Sequence, residues 1–401
     1  MTYQYGLQIA KYLFPFVTLP YLTRVLGPDD YAVRAYVLSA MTFFQVVVDY
    51  GFTYRGTREV AIHSEDRLAV RVETTSIVVL RVLMSIVGLC ALVVLAWFIP
   101  LLWRNLLYVV IAYIGVVGKA MLPDFIFQGY QDMGILTKRF VVTQMIATIL
   151  IFVLVRGPED LLWVPVSETL ASTVALAWSW FEVMRRRHIT FIRVSWATLG
   201  AIFRSSSVYF FSQVSTVLFS ALTTLLIGVV IHDSADVSYW ALAMTAVSAI
   251  QALYNPVANS LYPYIAASRD FSRLRQFLYA GTAAAGAGAV LFGLFAGPII
   301  HLLGGADYQD GAYVLRIVAP LLLFSYPAII LGFPVLGATG HVTELTWTST
   351  ISALFHVAGL LVLWGSGHFT LVSVAILRCA TELVMLVLRA VLARRLIASE
   401  S

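Results

Sequence analysis

Charged side chains are scarce in this chain. They make up 12% of 401 residues, against 60% hydrophobic residues and a mean hydropathy of +0.87, where a soluble domain carries about 25% charge. That balance excludes an ordinary water-soluble protein and points to an integral membrane protein. Cysteine is nearly absent too: Cys90 and Cys379 both lie inside apolar runs, which excludes a disulfide framework and a thiolate metal site. No cofactor is expected. H-E-x-x-H, G-x-S-x-G, a Walker phosphate loop and a D-x-D pair are all missing, and the seven histidines are dispersed without metal-ligand spacing. Those absences argue against an enzyme and against pumping driven by the chain's own ATP hydrolysis. The opening MTYQYGLQIAKYLF has no basic leader and no small-residue cleavage site, so the first apolar run is expected to be a retained span.

What is present in quantity is long apolar runs. They fall at about residues 6–26, 34–54, 74–98, 106–127, 139–155, 161–183, 205–231, 238–264, 276–303, 312–337, 345–364 and 369–393. A bilayer helix needs ~20 apolar residues, and these runs are continuous rather than alternating, so they predict twelve transmembrane helices and not barrel strands. The basic residues are distributed unevenly between the connections. The even-numbered connections and the tail carry Arg55, Arg58, Arg67, Arg71, Lys138, Arg139, Arg185, Arg186, Arg187, Arg193, Arg204, Arg269, Arg273, Arg275, Arg394 and Arg395; the odd ones carry only Arg24, Arg34, Arg104 and Arg156. By the positive-inside tendency both termini are expected in the cytoplasm, and the net charge of +5 is a topology signal rather than a nucleic-acid patch. A basic segment at 185–204 divides the chain into an N-terminal lobe, 1–184, and a C-terminal lobe, 205–401. A shift of 206 residues aligns Asp30 with Asp236, Ala35 with Ala241, Gln45 with Gln251 and Asp49 with Asn255, a weak internal repeat.

Polar residues inside apolar runs mark surfaces that face protein or water. The first run has Gln4, Gln8, Lys11, Pro15 and Thr18, and the second Ser39, Thr42, Gln45 and Asp49. The seventh has Tyr209, Ser212, Thr216, Ser220 and Thr223 with Gln213 beside them, and the eighth has Ser248, Gln251, Asn255 and Asn259. These four are expected to wall a hydrated central cavity; hydroxyls gluing packed helices together is the alternative. Lys11 could bind an anion or snorkel to the interface. Other charges in the runs are Asp49, Arg81, Lys119, Asp124, Glu168, Arg316, Arg378 and Glu382. Arg378 and Glu382, four apart, are spaced to pair on one helix face, whereas Lys119 and Asp124, five apart, are not and each needs another partner. Arg81 has no acid one turn away; either a cavity carboxylate or the interface could hold it.

The segment LPYLTRVLGPDDYAVRAYVLSAMTFFQVVVDYGFTYRGTREVA, with LPDFIFQGYQDM, NSLYPYIAASRD and VLRIVAPLLLFSYPAIILGFPVLGATGH, resembles bacterial polysaccharide-repeat flippases. These are the O-antigen transporters of the multidrug, oligosaccharidyl-lipid and polysaccharide exporter superfamily. The resemblance implies an all-α protein of two six-helix bundles around a central cavity, moving an undecaprenyl-diphosphate-linked oligosaccharide across the bacterial inner membrane by alternating access. It implies substrate contacts at Lys11, Arg55, Arg58 and Lys119. From the residues themselves, Gln213, Asn255 and Asn259 on the cavity stripes are expected to meet substrate, and ion coupling is expected first at Asp49, which ends the polar stripe of the second run close to Arg55 and Arg58, with Asp124 and Glu382 as the other candidates. Arg58 and Glu59 could instead form a gate pair. Membrane lipids, a lipid-linked substrate and polysaccharide polymerases are the expected partners of a monomer. Arg34, Ala32 and Pro334 depart from the family's usual aromatic or small residue, glycine and glutamine. Two alternatives are a cation-coupled exporter of small molecules with the same fold and a membrane polysaccharide polymerase or ligase. Short outer connections, about 5 to 15 residues between the apolar runs, disfavour the last.

Overall fold

The computed structural model describes residues 2–217, 221–231, 234–268 and 271–400, and no strand occurs among them. Ten helical stretches among the described residues are long and apolar enough to cross a bilayer. Lipid offers no partner for backbone N–H and C=O groups, and a helix satisfies them internally. The chain packs as two compact units, Met1–Val217 and Leu218–Ser401.

The first unit begins with α1, Thr2–Asp49, which is non-helical at Gly27 (φ 72°, ψ 175°). Pro28 follows; its ring pushes the preceding residue out of the α region, and glycine alone takes the positive φ without strain. The break separates the first two expected spans. The connection expected at 27–33 is instead helical from Pro28, where a helix-starting proline loses no hydrogen bond. After α1 come α2 (Phe52–Ile62), α3 (Arg67–Phe98), α4 (Pro100–Arg104), α5 (Leu106–Ala120), α6 (Asp124–Gly129), α7 (Met133–Leu154), α8 (Trp163–Arg187) and α9 (Trp196–Val217). Asp66 caps α3 by accepting from the Leu68 and Ala69 amides at 2.9 and 3.0 Å. Three arginines, 185–187, close α8, where cations oppose the dipole's negative end.

Between α1 and α2 the Asp49–Tyr50–Gly51 turn places Gly51 at φ 78° directly against α9. A Cβ there would lie 2.6 Å from the Tyr209 Cβ and 2.9 Å from the Phe210 backbone nitrogen. Tyr50 stacks between Phe203 and Phe210, with ring centroids 4.3 and 4.5 Å away. Gly51→Ala therefore combines left-handed strain with a backbone clash, and is expected to cost ~1–3 kcal/mol, seen as a lower unfolding temperature in detergent. An unchanged melting temperature would show that α9 can move away freely.

The second unit contains α10 (Thr223–Val230), α11 (Ser234–Gln251), α12 (Tyr254–Ser268), α13 (Phe271–Leu294), α14 (Ala296–Gly304), α15 (Ala312–Val318), α16 (Pro320–Ile330), α17 (Val342–Gly365) and α18 (Leu371–Glu400). The expected eighth span is interrupted between Gln251 and Tyr254, just ahead of Pro256, and the tenth between Val318 and Pro320. After α16 the coil widens to a π-helix over Leu331–Gly337, around Pro334, which has no amide to donate. His356 is fully buried; its ring nitrogens lie 2.8 Å from Thr223 Oγ1 and 2.9 Å from Thr381 Oγ1. A polar ring fits a core when both nitrogens have partners. Gln251 donates to Ser325 Oγ at 3.0 Å, so this member of the expected stripe acts as helix glue. Ser220, His232 and Arg269 lie outside the described residues, as do the side chains of Gln4, Gln8, Ser212, Thr216 and Arg273.

Candidate functional site

Inside the first unit, α1, α5, α7 and α8 enclose a cavity of about 460 Å³. Small side chains make the room: Thr143 and Ala147 on α7, and Ala171, Ser172 and Ala175 on α8. Glycine at 115 and 118 lets α5 approach α8 closely, since a Cβ at Gly115 would sit 2.9 Å from Thr169 Oγ1 and one at Gly118 3.4 Å from the Ser172 Cβ.

Four cations, Lys11, Arg34, Lys119 and Arg139, line this cavity with two carboxylates, Asp124 and Glu168. Arg139 holds Asp124 in a two-pronged pair, Nη1–Oδ1 at 2.5 Å and Nη2–Oδ2 at 3.0 Å, and its Nη1 also donates to Ser179 Oγ at 2.9 Å. Arg34 stands 3.7 Å from Glu168, and its Nε is buried with no hydrogen-bond partner. Among the described residues Lys11 and Lys119 have no carboxylate within 4 Å. Both ammonium side chains are exposed to the cavity rather than buried in protein. The arrangement has more positive than negative charge, presented on five helices, and suits a multiply charged anion.

Lys11 and Lys119, expected at the substrate with Arg55 and Arg58, and Asp124, expected in ion coupling, line one cavity, together with two arginines that the sequence did not single out for a site. Arg139 was counted with a basic connection, yet it is 5% exposed. It lies two turns inside α7, which starts at Met133, six residues before the expected run. Arg34, expected among the basic residues of the odd-numbered connections and as a departure from the family's usual residue, lines the cavity instead. Lys119 and Asp124 do not share a helix: α5 ends at Ala120, Pro123 follows, and Asp124 starts α6. Asp124 finds Arg139 instead.

Arg55, Arg58 and Asp49 form a separate group. Asp49 was placed near Arg55 and Arg58, but its partner is Arg81 of α3, whose Nη2 donates to Asp49 Oδ1 at 2.6 Å and to Thr53 Oγ1 at 2.8 Å. Thr53 Oγ1 donates to the same carboxylate oxygen at 2.7 Å, and Arg81 Nη1 donates to the Leu122 carbonyl at 3.1 Å. The Arg81 side chain is 1% exposed, with its guanidinium 5.5 Å from the Phe125 ring centre. Arg55 pairs with Glu73 of α3, and its Nε donates to Ser205 Oγ at 2.7 Å. Glu73 lies one residue ahead of the expected apolar run, where a charge in the sequence carries no signal of burial. Arg58 is exposed and lies 3.9 Å from Glu59.

In the second unit Arg378 Nη1 donates to Glu382 at 2.8 Å, the pairing expected from their spacing. Asn255 and Asn259 are exposed on α12. Gln213, on α9 of the first unit, is half-buried with an unpartnered Nε2. A buried arginine was missed altogether. Arg389 Nη1 donates to the Ala328 carbonyl at 2.8 Å and Nη2 to Ser349 Oγ at 3.0 Å, tying α16, α17 and α18 together with no acid in the set. The described residues hold no group of three or more His, Cys, Asp or Glu suited to a metal ion.

Helices this apolar around a charged internal cavity define a multi-pass membrane protein, and the solved structures it resembles include a multidrug resistance transporter and a lipid flippase. An inward-facing multidrug resistance transporter of the MATE family, in the MOP superfamily, aligns over 98% of this chain and 95% of its own with a TM-score of 0.78 at 14% identity. The inward closed lipid II flippase MurJ aligns over 96% and 87% with a TM-score of 0.67, also at 14% identity. At such identities the likeness is one of fold. By sequence the chain belongs to the polysaccharide biosynthesis protein family, whose model matches residues 1–268. Two relatives, from Escherichia coli (strain K12) and Shigella dysenteriae, bear the name "Putative O-antigen transporter". Each is 22% identical, the first over 78% of this chain and 77% of its own length, the second over 63% of each.

Proposed function

We propose that this protein is a flippase that carries an oligosaccharide linked to undecaprenyl diphosphate across the bacterial inner membrane by alternating access. The observation that carries the proposal is the surplus of cations in the first-unit cavity. A diphosphate must leave water to cross, and fixed ammonium and guanidinium groups replace its hydration. The names of the two relatives support the same substrate class. In this mechanism Lys11 and Lys119 meet the diphosphate, and Arg34 adds positive charge from the cavity wall. Asp124 is the preferred coupling carboxylate. Of the three coupling candidates, Asp49, Asp124 and Glu382, it alone lines the cavity, so a proton or cation on it would release Arg139 toward the anion and bias one state of the carrier. Asp49 and Glu382 are held by arginine as Asp124 is, but neither lines this cavity.

The test is translocation in proteoliposomes of a labelled undecaprenyl-diphosphate oligosaccharide, set beside a lipophilic organic cation. Transport of the oligosaccharide alone is the expected result. Transport of the cation alone would establish the drug-exporter alternative, which the positive cavity disfavours.

Twelve spans, cytoplasmic termini, a monomer and polymerase partners complete the proposal. A cysteine replacing exposed Arg185, in a chain lacking Cys90 and Cys379, is expected to resist an impermeant thiol reagent in intact cells and to react in inverted vesicles. Labelling from outside would reverse the orientation.

A further inference from the structure

A second cavity of the first unit, about 380 Å³, opens where α2 leads into α3 and α8 ends, apart from the residues of the candidate site. Its charged lining is four guanidiniums, Arg67, Arg71, Arg186 and Arg187, with the single carboxylate Glu65. Two of the arginines are held in place. Arg187 pairs with Asp132 and lies 4.0 Å from the centre of the Tyr130 ring, and Arg186 pairs with Glu182 at 2.5 Å. The other two, Arg67 and Arg71, have no carboxylate within 4 Å among the described residues. Arg71 is oriented instead by donating Nε to the Thr190 carbonyl at 3.1 Å.

Local electrostatics are unfavourable here. Arg67 opens α3 and Arg71 is one turn further along, so two like charges share a face at the positive end of the helix dipole. Asp66, the cap, already satisfies the first amides and does not neutralise the guanidiniums. A rule broken this way in a helix end that is otherwise well capped is what a bound anion would relieve. Around the basin Leu68, Met184 and Phe191 are exposed apolar side chains. They belong in acyl chains rather than water, so the anion that reaches these arginines comes attached to a lipid.

We propose that this basin binds the phosphate of an anionic membrane phospholipid, with Arg67 and Arg71 as principal contacts and the pinned Arg187 as the wall. Each guanidinium at a lipid surface is worth about fivefold in affinity, and the two together about thirtyfold. The experiment uses the full chain in vesicles of phosphatidylglycerol and phosphatidylcholine without polyprenyl lipid, with retained lipid counted by native mass spectrometry. The protein is expected to retain phosphatidylglycerol preferentially. Arg67→Gln with Arg71→Gln should lower that preference about thirtyfold, and Arg71→Gln alone, the milder change if the double variant folds badly, about fivefold. Arg104→Gln, outside the basin, should leave it unchanged. A folded Arg71→Gln variant with undiminished preference would overturn the assignment. Inorganic phosphate competing as well as the lipid does at equal concentration would also overturn it, by showing a site for free anions.

Discussion

Arg81→Met alone is expected to remove most of the folded protein from the membrane, whereas Arg81→Met combined with Asp49→Leu restores much of it. Arg81 is 1% exposed and Asp49 is 8% exposed. Taking away the guanidinium leaves a buried carboxylate with only the Thr53 hydroxyl for company. Breaking such a pair costs ~3–5 kcal/mol, a large share of the ~5–15 kcal/mol by which proteins are stable. Replacing both partners by apolar side chains of similar volume is often neutral, since neither desolvation nor an uncompensated charge remains. The double variant still loses the hydrogen bond to the Leu122 carbonyl, about 1 kcal/mol, so recovery should be incomplete. Detergent extraction followed by size-exclusion chromatography reads both outcomes. A single variant at normal level would show that water reaches Asp49. A stable Asp49→Asn protein that binds substrate but ignores an imposed ion gradient would return Asp49 to a coupling role.

The second large effect is expected from Lys11→Ala with Lys119→Ala. Neither ammonium has a carboxylate partner among the described residues, and both open into the cavity, so protein level should hold while transport falls. A hydrogen bond to a charged group contributes ~1.5–3 kcal/mol, about ten- to hundredfold in substrate affinity for each lysine lost. Arginine at both positions should rescue more than glutamine does, because charge and not chain length is what the diphosphate senses. Normal flux through the double alanine variant would remove the cationic cavity from the mechanism.

The second variant rests on residues the sequence had singled out; the first depends on a pairing it left open. Lys11 and Lys119 stand out because an ammonium in an apolar run is costly wherever its partner lies. The Arg378–Glu382 pair was legible because helical spacing alone brings the two side chains together. Arg81 with Asp49, Arg139 with Asp124 and Arg55 with Glu73 join residues 32, 15 and 18 positions apart. No periodicity encodes such contacts. The four-helix polar stripe also lost members to other uses: Gln251 bonds Ser325, and Lys11, Pro15 and Thr18 line a cavity within the first unit.

Composition by itself determined the solvent of this protein, and with it the secondary structure. A chain with 60% hydrophobic and 12% charged residues must satisfy its backbone internally, and uninterrupted runs of about 20 apolar residues leave only the helix. The causes of the breaks lie in the sequence too, because Gly27–Pro28, Pro123, Pro256 and Pro320 act through local sterics, although only the first falls where a connection was expected. Which charges cancel and which stay open was decided only by packing. Arg139 and Arg81 look like surplus cations in one dimension, yet each meets a carboxylate from another helix; Lys11 and Lys119 look no different and meet none within 4 Å among the described residues. The net charge of a cavity is a sum over helices distant in the chain, and that sum exists only once the helices are side by side.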